Sequence, residues 1–310
     1  MEDVSQNVKL IAIDIDGTLL TPQGQITARA RAAIRAAQQA GVIVTLATAR
    51  RYTGAQAVAE ALGIELPLIV YDGTLIVSHP TRTILACQTL NVETARQAIE
   101  IFRLHDIQPV VHPCEDELCV KEEVWTGPAE YDNPGLALYL TAAAERVMRM
   151  PFEVLNARAT EALRVVAFAE KETLERMLPA ITGINCAWNF APNGSYGSAE
   201  LAILPAGCSK ASGVATLAER YHIPLEQVMA LGDSYNDREM LRMVGLGVAM
   251  GQAPEQVKAV AKAITATNQE DGVALAIERY VLATYPQTAH TIANVLLEEA
   301  TLLQSFNILP

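Results

Sequence analysis

The sequence predicts an α/β fold, with a doubly wound parallel-sheet core into which a second α/β domain is inserted. Short apolar runs alternate with helix-like segments from the start of the chain, and this alternation returns after residue 200. Between residues 91 and 199 the pattern is different. Of the 310 residues, 51% are hydrophobic, which is enough for a large core, and a chain of this length usually forms two domains.

The first part of the core is predicted from the order of its segments. Residues 9–13, 42–47 and 68–71 are short apolar runs typical of buried parallel strands, and residues 27–40 and 53–62 are helical. Gly41 ends the first helix. This order predicts an open, Rossmann-like sheet, which binds ligands at the carboxyl ends of its strands. Asp14, Thr48 and Asp72 each follow one of these strands.

The middle of the chain predicts a separate module. After a hairpin at residues 75–77 and 84–90, we expect helices at 92–104 and 171–181 and a polar loop at 131–135. Short strands are expected near residues 110 and 120, and at 163–168 and 187–190. We therefore predict an inserted α/β cap with mainly antiparallel pairing at residues 91–199, and a core formed by residues 1–90 and 200–281. Residues 201–204 are expected to return to the main sheet, followed by a helix at 209–221 and a strand at 228–231.

Charge and composition disfavour several classes of partner. The net charge is −12 and the sequence has no basic stripe, which argues against nucleic acid and against an anionic membrane surface. No run approaches the ~20 apolar residues of a membrane span, and the first residues lack a secretory pattern, so we expect a cytoplasmic protein. The five cysteines are scattered, and we expect buried, reduced thiols.

The first candidate site follows the first strand and has the sequence Asp-Ile-Asp-Gly-Thr. Asp14 and Asp16 are two residues apart, and Gly17 permits a tight turn after them. One carboxylate of such a pair can act as a nucleophile while the other donates and accepts protons. The alternative is a simple turn with solvated aspartates, because Asp-Gly is a common turn dipeptide.

A second acidic cluster, Gly-Asp-Ser-Tyr-Asn-Asp at residues 232–237, also follows an apolar strand. Carboxylate oxygens at the ends of neighbouring parallel strands favour Mg²⁺, which prefers few carboxylates together with water and substrate oxygens. The alternative is a helix N-terminus capped by Asp233 or Ser234.

Two single residues complete the set. Thr48 follows the second strand, where its hydroxyl and the adjacent backbone N–H groups suit a phosphate, although a helix cap is an alternative. Lys210 begins a helix, where a positive charge is unfavourable to the helix dipole. A lysine in that position favours an anion-binding role, and the alternative is a solvated surface residue.

Together these residues resemble, in order and spacing, the four motifs of the haloacid dehalogenase superfamily. The chain is most similar to the Cof-like phosphatase branch, in which an α/β cap lies between the second and third motifs. The similarity covers roughly residues 8–281. It includes Gly-Val-Ala-Met-Gly at residues 247–251 and Glu-Asp-Gly-Val at residues 270–273.

The resemblance implies a catalytic or phosphate-binding role for five residues. Asp14 would be the nucleophile that forms an aspartyl-phosphate, and Asp16 would be the general acid and base. Thr48 and Lys210 would hold and neutralise the transferring phosphoryl group, and Asn236 would contribute a hydrogen bond. Phosphoryl transfer depends on charge neutralisation and in-line positioning, so this set suits the reaction.

The resemblance also implies a Mg²⁺ cofactor. Its ligands would be Asp14, the backbone carbonyl of Asp16, Asp233 and, in or next to the metal shell, Asp237. The implied function is a magnesium-dependent phosphatase acting on a small phosphorylated metabolite, such as a sugar phosphate or a phosphorylated cofactor. A phosphomutase and a non-catalytic phosphate-binding regulator on the same fold are the alternatives.

Three features depart from or extend the family pattern. Asp72-Gly73 stands where the family often has Asn-Gly, and Ala202 stands where it favours an acidic residue. Residues 282–310 extend beyond the usual end, and apolar spacing predicts an amphipathic helix at 288–303. This helix is expected to pack on its own core or to form a homodimer contact. Glu298 and Glu299 on its polar face disfavour membrane binding.

Overall fold

The computed structural model of the protein describes residues 8–114, 122–194 and 196–284. These residues divide into two compact units. The first comprises the described residues up to Val70 and from Lys210 onward, and the second comprises Tyr71–Ser209. None of the helices in these ranges combines the length and the apolar character needed to cross a bilayer.

The described ranges contain fourteen strands and ten α-helices. The strands are β1 (Leu10–Ile13), β2 (Ile43–Leu46), β3 (Leu68–Val70), β4 (Leu75–Val77), β5 (Ile84–Cys87), β6 (Val110–Pro113), β7 (Val124–Thr126), β8 (Val147–Arg149), β9 (Ala162–Ala169), β10 (Cys186–Ala191), β11 (Ala199–Pro205), β12 (Val228–Gly232), β13 (Leu246–Ala249) and β14 (Ala263–Ile264). The helices are α1 (Ala28–Gln39), α2 (Tyr52–Leu62), α3 (Val92–Leu104), α4 (Pro134–Ala142), α5 (Phe152–Arg158), α6 (Lys171–Ile181), α7 (Lys210–Arg220), α8 (Arg238–Met243), α9 (Glu255–Lys258) and α10 (Gly272–Tyr280).

The first unit is built on a parallel sheet. Five strands pair in the order β14-β13-β12-β1-β2, all parallel, and a parallel bridge from Ala47 to Ile69 adds β3 beside β2. Counting only the strands of this sheet, the order is 3-2-1-4-5-6, which is the doubly wound order. The direction of winding reverses between β1 and β12, and in such sheets the carboxyl ends at this switch point are where ligands bind. The predicted fold class is confirmed.

Local sequence signals account for the elements around the switch point. Every residue of β1 is buried, as its unbroken apolar sequence requires in a sheet covered on both faces. Thr27 caps α1 by accepting a hydrogen bond from the backbone N–H of Ala30 at 3.1 Å. Gly63 ends α2 in the left-handed conformation with φ of 61°.

The second unit contains a six-stranded sheet in the order β10-β11-β9-β6-β7-β8, which is antiparallel except for the β7–β8 pair. The expectation of mainly antiparallel pairing is confirmed. The expectation that residues 201–204 return to the main sheet is wrong, because β11 pairs with β9 and β10. Four of its residues, 201–204, are buried in succession, and a strand buried on both faces has the same apolar pattern in either kind of sheet.

Both faces of this sheet are covered by helices. Val165 and Ala167 of β9 join α3 and α6 in one apolar cluster, whereas Val166 and Phe168 join α4 in another. Ala202 of β11 belongs to the second cluster and is only 3% exposed. An acidic side chain in this place would need a buried partner, which gives the departure from the family pattern a packing explanation.

Other sequence predictions have mixed outcomes. The polar loop expected at residues 131–135 is a short 3₁₀ turn followed by the start of α4. Of the four described cysteines, Cys208 is buried but Cys87 is exposed, so the expectation of uniform burial is wrong. The helix expected at 288–303 lies outside the described residues, and the homodimer stays a prediction. The division into a core and a cap at residues 91–199 also stays a prediction.

Candidate active site

The predicted site residues of the first unit lie at the carboxyl ends of adjacent strands. Ile13 of β1 is in register with Leu46 of β2 on one side and with Leu231 of β12 on the other. Asp14, Thr48 and Asp233 therefore follow three neighbouring strands that end at the same level. This edge is the switch point of the sheet.

Asp14 is held rigidly at the start of a tight turn. Its side chain is buried, and its backbone N–H donates to the carbonyl of Leu231 at 3.0 Å. Gly17 in the same turn has φ of 78°, and a Cβ atom there would collide with the carboxylate of Asp233. Glycine is required at this position for both reasons, because an L side chain tolerates neither the dihedral angle nor the collision.

Lys210 is a buried cation shared by two carboxylates. Its side chain is 2% exposed, and its Nζ lies 2.7 Å from Oδ1 of Asp14 and 2.7 Å from Oδ1 of Asp237. A buried charge is tolerated only when it is paired in this way. The interpretation of Lys210 as a solvated surface residue is therefore wrong.

Asp237 organises the loop that follows β12. Its Oδ2 accepts hydrogen bonds from the backbone N–H groups of Asp233 at 3.0 Å and Ser234 at 2.9 Å. The hydroxyl of Ser234 donates to Oδ1 of Asn236 at 2.5 Å and to Oδ2 of Asp237 at 3.2 Å. The hydroxyl of Thr18, from the turn after β1, donates to Oδ1 of Asp233 at 2.9 Å. The bond from Thr18 to Asp233 connects the two acidic motifs.

Three carboxylates converge in this loop region. Asp14, Asp233 and Asp237 each offer an oxygen atom, and these oxygens all lie within 4.8 Å of one another. Burial raises the pKa of Asp14 well above its usual value, and burial with the charge of Asp237 raises the pKa of Asp233 to about 6. Lys210 supplies one positive charge against three carboxylates. The donor set and its excess negative charge fit a hard divalent cation such as Mg²⁺.

Asp16 is placed differently from Asp14. Its side chain is 56% exposed and makes a two-pronged ion pair with Arg50, whose Nε and Nη2 lie 2.7 and 2.6 Å from the two carboxylate oxygens. Arg50 also donates through Nη1 to the carbonyl of Gly54 at 3.2 Å. Sequence analysis assigned no role to Arg50. Arg50 follows the predicted phosphate-binding residue Thr48 by two positions, and this is the sequence feature that could have indicated a role in the site.

Thr48 is buried beside this arginine. Its backbone N–H donates to the carbonyl of Ile69 at 2.9 Å, and its hydroxyl accepts a hydrogen bond from the backbone N–H of Arg50 at 3.1 Å. The N-cap residue of α2 is Arg51, so Thr48 does not cap that helix. The role of Thr48 in holding phosphate stays a prediction.

Asp72, the residue that departs from the family pattern, belongs to the second unit. Its side chain is buried, with Oδ2 lying 3.8 Å from Nη1 of Arg164 on β9. The guanidinium of Arg164 lies 5.0 Å from the centre of the Tyr71 ring. The extra carboxylate thus takes part in a buried ion pair with a basic residue of its own unit.

Comparisons with known proteins extend over nearly the whole described chain. The profile of haloacid dehalogenase-like hydrolases matches residues 11–277. The chain is 26% identical over 288 residues to pyridoxal phosphate phosphatase YbhA of Escherichia coli, covering 88% of this chain and 99% of that protein. It is 31% identical over 285 residues to 5-amino-6-(5-phospho-D-ribitylamino)uracil phosphatase YcsE of Bacillus subtilis, covering 91% and 98%. A crystal structure of a haloacid dehalogenase-like hydrolase from Bacteroides thetaiotaomicron superposes with a TM-score of 0.71 at 27% identity, covering 88% and 99%.

Proposed function

The chain belongs to the haloacid dehalogenase-like hydrolase family and is a phosphatase, and on this basis we propose that it hydrolyses a small phosphomonoester through phosphorylation of Asp14. The position of Asp14 is the observation that supports this proposal most strongly. Its buried carboxylate lies 2.7 Å from the ammonium group of Lys210 and next to the carboxylates of Asp233 and Asp237. A fixed nucleophile beside a cation is what phosphoryl transfer requires.

In the first step, a carboxylate oxygen of Asp14 attacks the phosphorus of the substrate. A bond forms between this oxygen and phosphorus while the bond from phosphorus to the leaving oxygen breaks. The leaving oxygen takes a proton from Asp16. Arg50 orients Asp16 by binding both of its carboxylate oxygens, which fixes the direction from which the proton is transferred.

In the second step, water attacks the phosphorylated Asp14. Asp16, now ionised, accepts a proton from the water as its oxygen bonds to phosphorus. The bond between phosphorus and Asp14 then breaks, releasing inorganic phosphate and restoring the carboxylate. The same residue serves as acid and then as base, so Asp16 recovers in the second step the proton that it gives up in the first.

Lys210, Thr48 and Asn236 bind the phosphoryl group during both steps. Lys210 contributes its charge, and Thr48 and Asn236 contribute hydrogen bonds. Mg²⁺ would be held by Asp14, Asp233, Asp237 and the backbone carbonyl of Asp16. When bound, it supplies positive charge that offsets the carboxylates and the phosphoryl oxygens.

The test is phosphate release by the purified protein from a panel of phosphorylated metabolites. The panel includes sugar phosphates, pyridoxal phosphate and 5-amino-6-(5-phospho-D-ribitylamino)uracil, because the last two are named for relatives of this chain. We expect magnesium-dependent release from at least one compound, and none from Asp14→Asn. Glu219→Gln, an exposed change on α7, is the matched control. Equal release by wild type and Asp14→Asn would show that Asp14 is not the nucleophile.

The panel also separates hydrolysis from the mutase alternative. A mutase returns the phosphoryl group to an organic acceptor, so substrate is consumed with no free phosphate. If isomeric phosphates form and inorganic phosphate does not, the hydrolytic proposal is wrong, although phosphorylation of Asp14 would still stand.

A further inference from the structure

Two cysteine thiols of the second unit lie side by side. Sγ of Cys87, the last residue of β5, is 3.5 Å from Sγ of Cys114, which follows β6. Cys87 is exposed and Cys114 is partly exposed, so small oxidants can reach the pair. The proposed phosphatase reaction uses neither thiol.

Backbone hydrogen bonds fix the segment that carries each of these cysteines. Cys87 pairs with Leu75 of β4, and the next residue, Gln88, donates its backbone N–H to the carbonyl of Thr74 at 2.8 Å. On the other side, Cys114 donates its backbone N–H to the carbonyl of Glu161 at 2.8 Å. Each cysteine therefore lies on a backbone segment that is paired with a neighbouring segment of the second unit.

We propose that Cys87 and Cys114 are a modification site, where a peroxide-class oxidant forms a reversible disulfide within the second unit. A disulfide has an S–S distance of about 2 Å, so the sulfurs need to approach by roughly 1.5 Å. This inference does not depend on the proposed function.

The chemistry balances with hydrogen peroxide as the oxidant. One thiol loses its proton and attacks a peroxide oxygen, giving a sulfenic acid and releasing water once the departing oxygen is protonated. The second sulfur then attacks the first, expelling a second water as the S–S bond forms. Two thiols are oxidised by two electrons in total, and the peroxide is reduced to two waters.

The surroundings of Cys87 determine how the reaction depends on pH. The hydrogen bond with Cys114, burial of part of the side chain and the charges of Cys114, Cys208 and Glu161 raise the pKa of Cys87 above its ordinary value. Since the thiolate is the nucleophile, oxidation that begins at Cys87 is expected to become faster as pH rises. A third thiol, Cys208, is buried and donates to Oε1 of Gln88 at 2.5 Å, so it is already engaged.

The test is treatment of the full-length protein with hydrogen peroxide, followed by thiol counting in denaturant and peptide mass mapping without reductant. We expect the count to fall from the five thiols of the chain to three and the mass to fall by two hydrogens. Dithiothreitol should reverse both changes. The map should contain one linked pair of peptides, joining Cys87 to Cys114.

Single-serine variants identify the sulfurs that react. Cys87→Ser and Cys114→Ser should each lose the cross-link, whereas Cys186→Ser and Cys119→Ser should keep it. The map of the wild-type protein is decisive even if a variant folds poorly. A cross-link between any other pair, or oxidation of Cys87 to sulfinic acid with no cross-link, would overturn the proposal.

Discussion

Binding of Mg²⁺ is expected to weaken sharply in acid, because two of its proposed ligands hold protons more tightly than a free aspartate does. Burial, with the neighbouring charge of Asp237, raises the pKa of Asp233 from 3.8 to about 6. Burial also raises the pKa of Asp14 well above 3.8. Since Mg²⁺ binds ionised carboxylates, its binding must displace these protons below the pKa of each group.

The size of the effect follows from Asp233. A carboxyl group with a pKa of about 6 is about nine-tenths protonated at pH 5, so displacing its proton weakens apparent Mg²⁺ affinity about tenfold relative to pH 7. Because Mg²⁺ must also displace a proton from Asp14, the affinity is expected to depend on pH more steeply still. Above the pKa of both groups the affinity should become independent of pH.

The raised pKa of Asp233 also affects the stability of the metal-free protein. This stability changes with pH in the opposite direction to the Mg²⁺ affinity. The pKa of Asp233 is higher in the folded state, so the folded state binds more protons, and the free energy of unfolding decreases as pH rises through about 6. A shift of about two units corresponds to at most about 3 kcal/mol. Added Mg²⁺ should restore this stability at neutral pH.

Calorimetric titration with MgCl₂ at constant ionic strength, at several values from about pH 5 to about pH 8, measures the affinity directly. Asp233→Asn should bind Mg²⁺ more weakly at neutral pH and show a flatter dependence on pH, whereas Glu219→Gln should behave as wild type. Equal dissociation constants at the two ends of this range would refute the assignment of Asp233 and Asp14 as ligands.

Four substitutions test the roles of individual site residues. Asp14→Asn should abolish phosphate release and Asp16→Asn should lower it by ~10² to 10⁴-fold, measured as inorganic phosphate, and near-wild-type rates would contradict these roles. Lys210→Met leaves Asp14 and Asp237 without their shared cation, and a loss of about 3–5 kcal/mol is expected in urea unfolding of the metal-free protein at neutral pH. An unchanged urea midpoint would be inconsistent with that ion pair. Arg50→Gln should lower kcat by up to about 10²-fold with a smaller change in KM, because Asp16 loses its orienting partner, and an effect on KM alone would argue against this role.

Sequence patterns predicted the strands and helices of the first unit well, because each is a short apolar run or a capped helix with local signals. They also predicted which polar residues follow which strands. The assignment of β11 to the wrong sheet has a physical cause. Burial on both faces produces the same run of apolar residues in a parallel core sheet and in an antiparallel sheet covered by helices, so the partner strand is not encoded in the pattern.

Two other features were missed for different reasons. The start of α4 carries local signals, with Asn133 at the N-cap and Pro134 in the first turn, but polar and turn-forming residues of this kind also predict a loop. The pairing of Arg50 with Asp16 joins residues 34 positions apart. Such a contact depends on how two strands lie in the sheet, and periodicity in the sequence cannot reveal it.

The order of the strands also bears on how the protein is synthesised. β1 pairs with β2 on one side and with β12 on the other, but some 215 residues separate β1 from β12 in the chain. At typical translation rates, β12 emerges from the ribosome roughly 10–40 s after β1. The second unit is continuous in sequence, so it can fold during this interval. Until β12 emerges, one edge of the fully apolar β1 has no partner strand, and the nascent chain is most prone to aggregation at that edge.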